Sequence, residues 1–271
     1  MEGMPYDLVT FTTDFGLDDS YVAICKAVLR RFAPHAQVLD VTHLVPPQDV
    51  RRGSLVLARA VPWCPPAVHL AVVDPGVGTA RRAVAVRAGE SVLVGPDNGL
   101  LPPAADRLGG AREAVALTEQ SLFLQPVSAT FHGRDVFSPT AGQVASGTPL
   151  TSFGEPLDPA SLVRLPEPRP EAADGALATE VVDVDTYGNV CVAGTLDDLA
   201  RAGLGDAAEV RVTTAGYRGD AVRARSYGGV PDGALLVYVD SNRSLELAVN
   251  GGSAARALSV RRGDAVTLTR P

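Results

Sequence analysis

Apolar and polar residues alternate along this chain in two different rhythms. From residue 7 to residue 145, short apolar runs trade places with stretches whose apolar residues recur every three or four positions. Asp7–Thr12, Gln37–Val41 and Val68–Val73 read as strands; the last is almost wholly apolar, as in a parallel sheet covered on both faces. Ser20–Phe32 carries Val22, Ala23, Cys25, Ala27, Val28 and Leu29 at helical spacing and stops before Pro34. Asp49–Val61 predicts a second helix, stopped near Pro65–Pro66, and Val136–Ala145 a third. Ala83–Val86 and Ser91–Val94 read as further strands. Alternation of this kind predicts an α/β N-terminal domain with a mainly parallel sheet.

The rhythm then changes. Residues 155–175 hold five prolines, Pro156, Pro159, Pro166, Pro168 and Pro170, among few apolar residues. Beyond them come short strands separated by turns: Thr179–Val184, Val190–Val192, Glu209–Thr213, Ala234–Val239, Ser244–Val249 and Ala265–Thr269. That pattern predicts an all-β C-terminal domain, a small barrel or sandwich. The expected layout is an α/β domain over 1–160, a Pro-rich linker over 161–175 and a barrel-like domain over 176–271.

Composition narrows the function. The 271 residues are 46% hydrophobic and 20% charged, ordinary for a folded domain and far from a disordered chain. Net charge is −7, and the basic pairs Arg30–Arg31, Arg51–Arg52, Arg81–Arg82 and Arg261–Arg262 are scattered, which argues against a nucleic-acid partner. No run of 18 apolar residues predicts a membrane span. The N-terminus MEGMPYDLVTFTTDFG lacks the basic-then-apolar order of a secretory leader. Three widely spaced cysteines, Cys25, Cys64 and Cys191, fit a reducing, cytoplasmic compartment and lack the close pairs of a zinc site. No metal and no cofactor is expected.

Candidate chemistry lies where strands end in polar residues beside small turn residues, because ligands of open α/β sheets bind beyond the carboxyl ends of the strands. Thr12–Thr13–Asp14–Phe15–Gly16 is the first such place: Asp14 either accepts a ribose diol or helps cap the Ser20 helix. In Asp74–Pro75–Gly76–Val77–Gly78–Thr79–Ala80–Arg81, Asp74 and Arg81 flank a tight loop. They either face a ligand or staple a structural turn; the glycine spacing is neither a Walker loop nor a dinucleotide fingerprint. Of four histidines, His132 alone sits beside a glycine in a polar cluster, Phe131–His132–Gly133–Arg134–Asp135; His35, His43 and His69 read as surface or core fillers. Asp, Arg and His together can activate water, whose pKa of about 15.7 demands stabilisation of hydroxide by charge or dipoles. In the second domain, Asp185–Thr186–Tyr187–Gly188–Asn189 either binds the two ends of an amino acid or is a hairpin turn. Ser241–Asn242–Arg243–Ser244 is a similar polar turn.

Taken in order, the segments TTDFG–DDSYV, VDPGVGTARR, VGPDNGLL, TFHGRDVF, DTYGN and SNRSLELAVN resemble the S-adenosyl-L-methionine hydroxide adenosyltransferase family, relatives of the fluorinating and chlorinating adenosyltransferases. The resemblance covers nearly the whole chain. It implies an α/β domain followed by a barrel-like domain, and a homotrimer with sites at subunit interfaces. It places a water-activating set on Asp74, Arg81 and His132 and the ribose carboxylate on Asp14. Methionine contacts fall on Asp185, Asn189 and Ser241, and adenine-stacking aromatics on Tyr187 and Tyr227. The halogenating relatives carry an aromatic residue at the position of Asp74, and the fluorinating ones an extra loop and an aromatic at the position of Gln48; this chain has neither.

The implied activity is hydrolysis of S-adenosyl-L-methionine to adenosine and L-methionine, by in-line attack of a water-derived hydroxide on ribose C5′. Arg81 is expected to stabilise hydroxide character, His132 to hold or deprotonate the water, and Asp74 to orient both. A halide-dependent adenosyltransferase, a non-catalytic adenosyl-compound binding protein and an unrelated metal-dependent hydrolase are the competing readings.

Overall fold

A computed structural model describes residues 5–173 and 175–271. The first four residues of the stretch weighed as a leader, and Asp174 in the expected linker, lie outside the described residues. The chain divides into two compact units, Met1–Leu165 and Pro166–Pro271.

The first unit runs β1 (Leu8–Thr13), α1 (Tyr21–Phe32), β2 (Gln37–Thr42), α2 (Val50–Ala60), β3 (Val68–Val72), β4 (Ala83–Ala88), β5 (Ser91–Pro96), α3 (Pro102–Arg107), β6 (Ala111–Ala116), α4 (Ser138–Ala145) and β7 (Pro156–Leu157). Its seven strands lie in the order β2-β1-β3-β5-β4-β6-β7. The sheet is mixed: β2, β1, β3 and β5 are parallel to one another, whereas β4 and β7 run against their neighbours. Alternation along β3 splits the core in two. Leu70 and Val72 join α1 and α4 on one face, and Ala71, with Val73 just beyond the strand, joins α2 and α3 on the other. Of the six residues whose spacing defined α1, Val22, Cys25, Val28 and Leu29 are buried, whereas Ala23 and Ala27 face solvent. Asp49 caps α2 by accepting the Arg52 N–H at 2.8 Å.

From β1 the chain goes to β2 on one side and later to β3 on the other. The reversal opens a crevice beyond the carboxyl ends of β1 and β3, where Asp14 and Asp74 lie.

The second unit adds β8 (Glu171–Ala173), β9 (Ala176–Val184), β10 (Val190–Val192), α5 (Leu196–Arg201), β11 (Glu209–Thr213), β12 (Arg218–Arg223), β13 (Leu235–Val239), β14 (Leu245–Val249), α6 (Ala254–Ala257) and β15 (Ala265–Thr269). The order β10-β14-β13-β12-β11-β15-β9 closes on itself through β10–β9 pairing, giving a seven-strand barrel with β8 added outside β9. Closure leaves those seven strands without an open edge. The Pro-rich stretch 161–175 is held rather than free along its first part. Leu162 is buried, the Val163 N–H donates to Asp97 at 2.8 Å, and Arg164 pairs with Asp106. Among the described residues no helix is long and apolar enough to cross a membrane.

Candidate active site

The turn leaving β1 is folded by its own side chains. Thr13 Oγ1 accepts the Phe15 N–H at 3.2 Å. Asp14 does not cap α1, whose N-cap Ser20 makes no side-chain cap bond; instead its Oδ2 accepts the N–H of Gln48 at 2.8 Å. Gln48 takes a left-handed φ of 66° to present that N–H. Burial, with the negative charge of Asp74 adding to it, raises the Asp14 pKa against the backbone hydrogen bonds that oppose the shift.

The loop after β3 brings Asp74 back to Arg81. The guanidinium grips the carboxylate with two bonds, Nε to Oδ1 at 2.9 Å and Nη2 to Oδ2, and both side chains are close to fully buried. Gly78 makes the loop possible: its φ is +75°, and a Cβ there would sit 2.4 Å from the carbonyl oxygen of Ala129. The Arg81 guanidinium also lies over the Phe137 ring, 5.1 Å from its centroid.

His132 arrives from a third segment. It precedes a π-helical turn, Gly133–Phe137, that leads into α4. Gly133 is pressed against Phe15, where a Cβ would stand 2.9 Å from ring carbon Cζ. Arg81 Nη2 lies 2.9 Å from His132 Nδ1, so Asp74, Arg81 and His132 converge in one hydrogen-bonded row. Arginine is a donor only, so Nδ1 must be the acceptor. In the neutral ring the proton then sits on Nε2. Burial, seconded by the Arg81 charge, lowers the His132 pKa, with Asp74 and Asp135 opposing. A cavity of about 490 Å³ adjoins the row, lined by Arg81, Thr118, Phe123, Gln125, His132 and Val136. Phe15, Tyr21 and Phe131 form an aromatic cluster beside it, their ring centroids 5.2–6.1 Å apart.

In the barrel unit, Asp185 folds its own turn. Oδ1 accepts the N–H groups of Tyr187 and Asn189 at 2.9 and 2.8 Å, and Oδ2 accepts Asn189 Nδ2 at 2.8 Å. Asn189 Nδ2 also donates to the Tyr227 hydroxyl at 2.9 Å. From there a directed chain runs to the Tyr238 hydroxyl at 2.8 Å and on to Glu246. Both amide hydrogens of Asn189 are spent, leaving Oδ1 as its free polar atom. Tyr187, Asn189 and Tyr227 line a cavity of about 460 Å³ with Val249, Asn250 and Arg256. Ser241 is not brought to this cluster. It lies exposed before the amino end of β14, while β10 pairing sets Asn189 past Leu247, toward the other end of that strand.

Comparison with known proteins fits this arrangement. The N-terminal domain of the SAM hydroxide adenosyltransferase family matches residues 9–154 and its C-terminal domain residues 179–267. The chain belongs to this family. It is 53% identical to the (R)-S-adenosyl-L-methionine hydrolase of Salinispora tropica, with 98% of each chain covered. It is 44% identical to the protein of that name in Thermus thermophilus, with 96% of this chain and 98% of the relative covered. Identity to the fluorinase of an Actinoplanes species is 25%, with 97% of each chain covered. Among solved structures, an uncharacterised conserved protein from Thermotoga maritima superposes with a TM-score of 0.90 at 38% identity, covering 97% of this chain and 100% of its own.

Two features of this family member escape sequence reasoning. Tyr238 and Glu246 meet only through the β13–β14 register, which pairs them directly. His43, read as a filler, is buried with Nδ1 hydrogen-bonded to Thr13, while Nε2 stands 3.0 Å from Asp40 in ion-pair contact without the alignment of a hydrogen bond. Among the described residues no group of three or more His, Cys, Asp and Glu side chains could hold a metal ion.

Proposed function

We propose that this protein hydrolyses S-adenosyl-L-methionine to adenosine and L-methionine, and that the (R) sulfonium epimer is the form it consumes. The observation that carries the reading is the Asp74–Arg81–His132 row, in which three residues distant along the chain converge beside a cavity. Relatives at 44–53% identity named for this hydrolysis support it.

In this reading a water attacks ribose C5′ in line with the departing sulfur. The C5′–S bond breaks with its electron pair going to sulfur, so methionine leaves as a neutral thioether and no acid is needed. The C5′–O bond forms, and the oxygen's extra proton passes to solvent. Holding the water about 3–3.5 Å from carbon supplies much of the rate. Arg81 stabilises negative character on the oxygen, Asp74 fixes the Arg81 fork, and His132 donates from Nε2 to orient the water. Deprotonation by His132, the other role open to it from sequence, is disfavoured: Nδ1 faces a cation and Nε2 already carries a proton.

Asp14 takes the ribose diol. Tyr187 and Tyr227 suit adenine, which can stack on their rings. A methionine carboxylate offers only acceptors, so Asn189 is not its partner. The Asp185 carboxylate, which holds the turn and still has acceptor capacity, and the Asn189 Oδ1 suit the methionine ammonium, and Ser241 remains an expected methionine contact. The working form is a cytoplasmic homotrimer with sites at subunit interfaces, as the resemblance implies; sedimentation equilibrium tests it.

The test of the reaction is incubation of each sulfonium epimer in ¹⁸O-labelled water, with chloride or fluoride present in parallel. Label in the 5′-hydroxyl of adenosine from the (R) epimer is the expected result. A 5′-halo-adenosine, or intact substrate after hours with stoichiometric protein, overturns it.

A further inference from the structure

His43 follows β2 and is buried, yet both ring nitrogens are engaged. Nδ1 is hydrogen-bonded to Thr13 Oγ1 at 2.9 Å, and Nε2 lies 3.0 Å from Asp40 Oδ1 in ion-pair contact, off the line of a hydrogen bond. The ring stands edge-on to Phe11, with centroids 4.8 Å apart. Asp40 is anchored in turn by Lys26 at 2.5 Å.

The protons in this row can be assigned. A carboxylate 3.0 Å from Nε2 attracts an N–H and repels a bare lone pair, so the neutral ring keeps its hydrogen on Nε2 and Nδ1 is bare. The Thr13 hydroxyl must then donate to Nδ1, while its lone pair accepts the Phe15 N–H. The row resembles a nucleophile–base–acid triad, but Thr13 is fully buried and its hydroxyl cannot reach a substrate. Its work lies elsewhere. The His43 carbonyl also accepts the N–H of Gly16 at 2.8 Å, and the Val45 N–H donates to the Thr13 carbonyl at 3.3 Å. His43 therefore grips both ends of the turn Thr13–Gly16, and the two residues between those ends are Asp14 and Phe15. Three residues after Val45, Gln48 reaches the Asp14 carboxylate from the same segment. Phe15 bears on Gly133, next to His132.

We propose that Asp40, His43 and Thr13 form a positioning chain that aims the Asp14 carboxylate at the substrate's ribose diol and so sets discrimination between ribose and 2′-deoxyribose. The proposal rests on the reading that Asp14 binds the diol. A packing-only role for these residues would alter stability and leave that discrimination alone.

The experiment compares kcat/KM for S-adenosyl-L-methionine with that for its 2′-deoxyadenosyl analogue, in wild-type protein and in Thr13→Val, Thr13→Ser, Asp40→Asn and Asp14→Asn. Valine keeps the shape of threonine and removes its hydroxyl. Thr13→Val is expected to lower the ribose preference about five-fold, the scale of one lost hydrogen bond, mainly through KM. Thr13→Ser restores the hydroxyl and returns the preference to within about two-fold of wild type. Asp40→Asn removes the far anchor at a partly exposed position. It lowers the preference in the same direction and serves if Thr13→Val does not fold. If Asp14→Asn collapses the preference while folded Thr13→Val and Asp40→Asn keep it, the positioning chain is refuted and the diol reading survives. If Asp14→Asn itself keeps the preference, the diol reading fails and the proposal falls with it.

Discussion

Replacing His132 by glutamine and by alanine separates two roles that a catalytic histidine can play. Arg81 Nη2 faces Nδ1 at 2.9 Å, and a guanidinium stays protonated at every working pH. His132 can therefore offer the water only its Nε2–H. Glutamine extends an amide N–H to about the place of Nε2, and its carbonyl can accept from Arg81, but it cannot act as a base. Loss of one hydrogen bond to a group gaining charge costs about 1.5–3 kcal/mol, or roughly 10–150-fold in kcat, which is the expectation for His132→Ala. His132→Gln keeps the donor and should stay within about ten-fold of wild type. A general base is worth about 10²–10⁴-fold, and glutamine would lose all of it. The pH profile adds a second readout. Burial and Arg81 lower the pKa of His132, so wild-type kcat should fall only below the ordinary histidine range, where a second ring proton confronts the Arg81 N–H. His132→Gln should lose that acid limb while remaining active. A glutamine variant as inactive as alanine, measured by steady-state kinetics on folded protein, refutes the donor role.

Other perturbations follow from the same geometry. Arg81→Lys keeps a charge but loses the two-pronged grip on Asp74 and the contact to His132; kcat should fall by about 10² or more with little change in KM, and a proportional loss in KM instead would mean that Arg81 serves binding. Gly78→Ala combines a φ of +75° with a 2.4 Å approach to the Ala129 carbonyl, so it should cost about 1–3 kcal/mol in denaturant unfolding and lower activity by displacing the Asp74–Arg81 loop. His69 is buried in β3 against Thr10, and its pKa is lowered to about 4. The unfolded chain binds that proton near pH 6.5 while the folded chain resists until about pH 4. Stability should thus be full above 6.5 and decline by roughly 3 kcal/mol toward pH 4; a His69→Gln variant with the wild-type pH slope would refute this.

What the sequence made legible was whatever local rules decide. α1 and α2 could be read from apolar spacing, and β3 from its unbroken apolar run, because burial of one stripe or both faces is written into neighbouring residues. β6, AREAVA, could not: its alanines, arginine and glutamate favour helix, and only pairing with β4 and β7 makes it a strand. β12, RGDAVR, is obscured in the same way and is a strand because the barrel must close. At the site, Asp74 and Arg81 lie seven positions apart around glycines, so their pairing was visible as one of two options. His132 enters from fifty-one positions further along, a convergence that resemblance supplied and spacing could not. Asp185 and Asn189 were legible as a polar turn, but how the Asn189 amide donors are spent depends on Tyr227 from another strand connection.

The order of residues in the row bears on the chemistry more than their identity does. In a Ser–His–Asp triad the imidazole stands in the middle, accepts a proton on one side and keeps another on the far side, and the carboxylate steadies the cation that results. Here a guanidinium stands in the middle. It cannot give up a proton near neutral pH, so nothing taken from water by an imidazole could be passed to Asp74. It also opposes a positive charge on His132, adding to the burial that is the larger cause of that ring's lowered pKa. The row is therefore badly built for abstracting a proton and well built for holding fixed dipoles and one fixed charge against an oxygen that becomes a nucleophile. A sulfonium leaving group makes that sufficient. It departs neutral, the attacked carbon is already activated, and water needs to be oriented and stabilised more than deprotonated in advance.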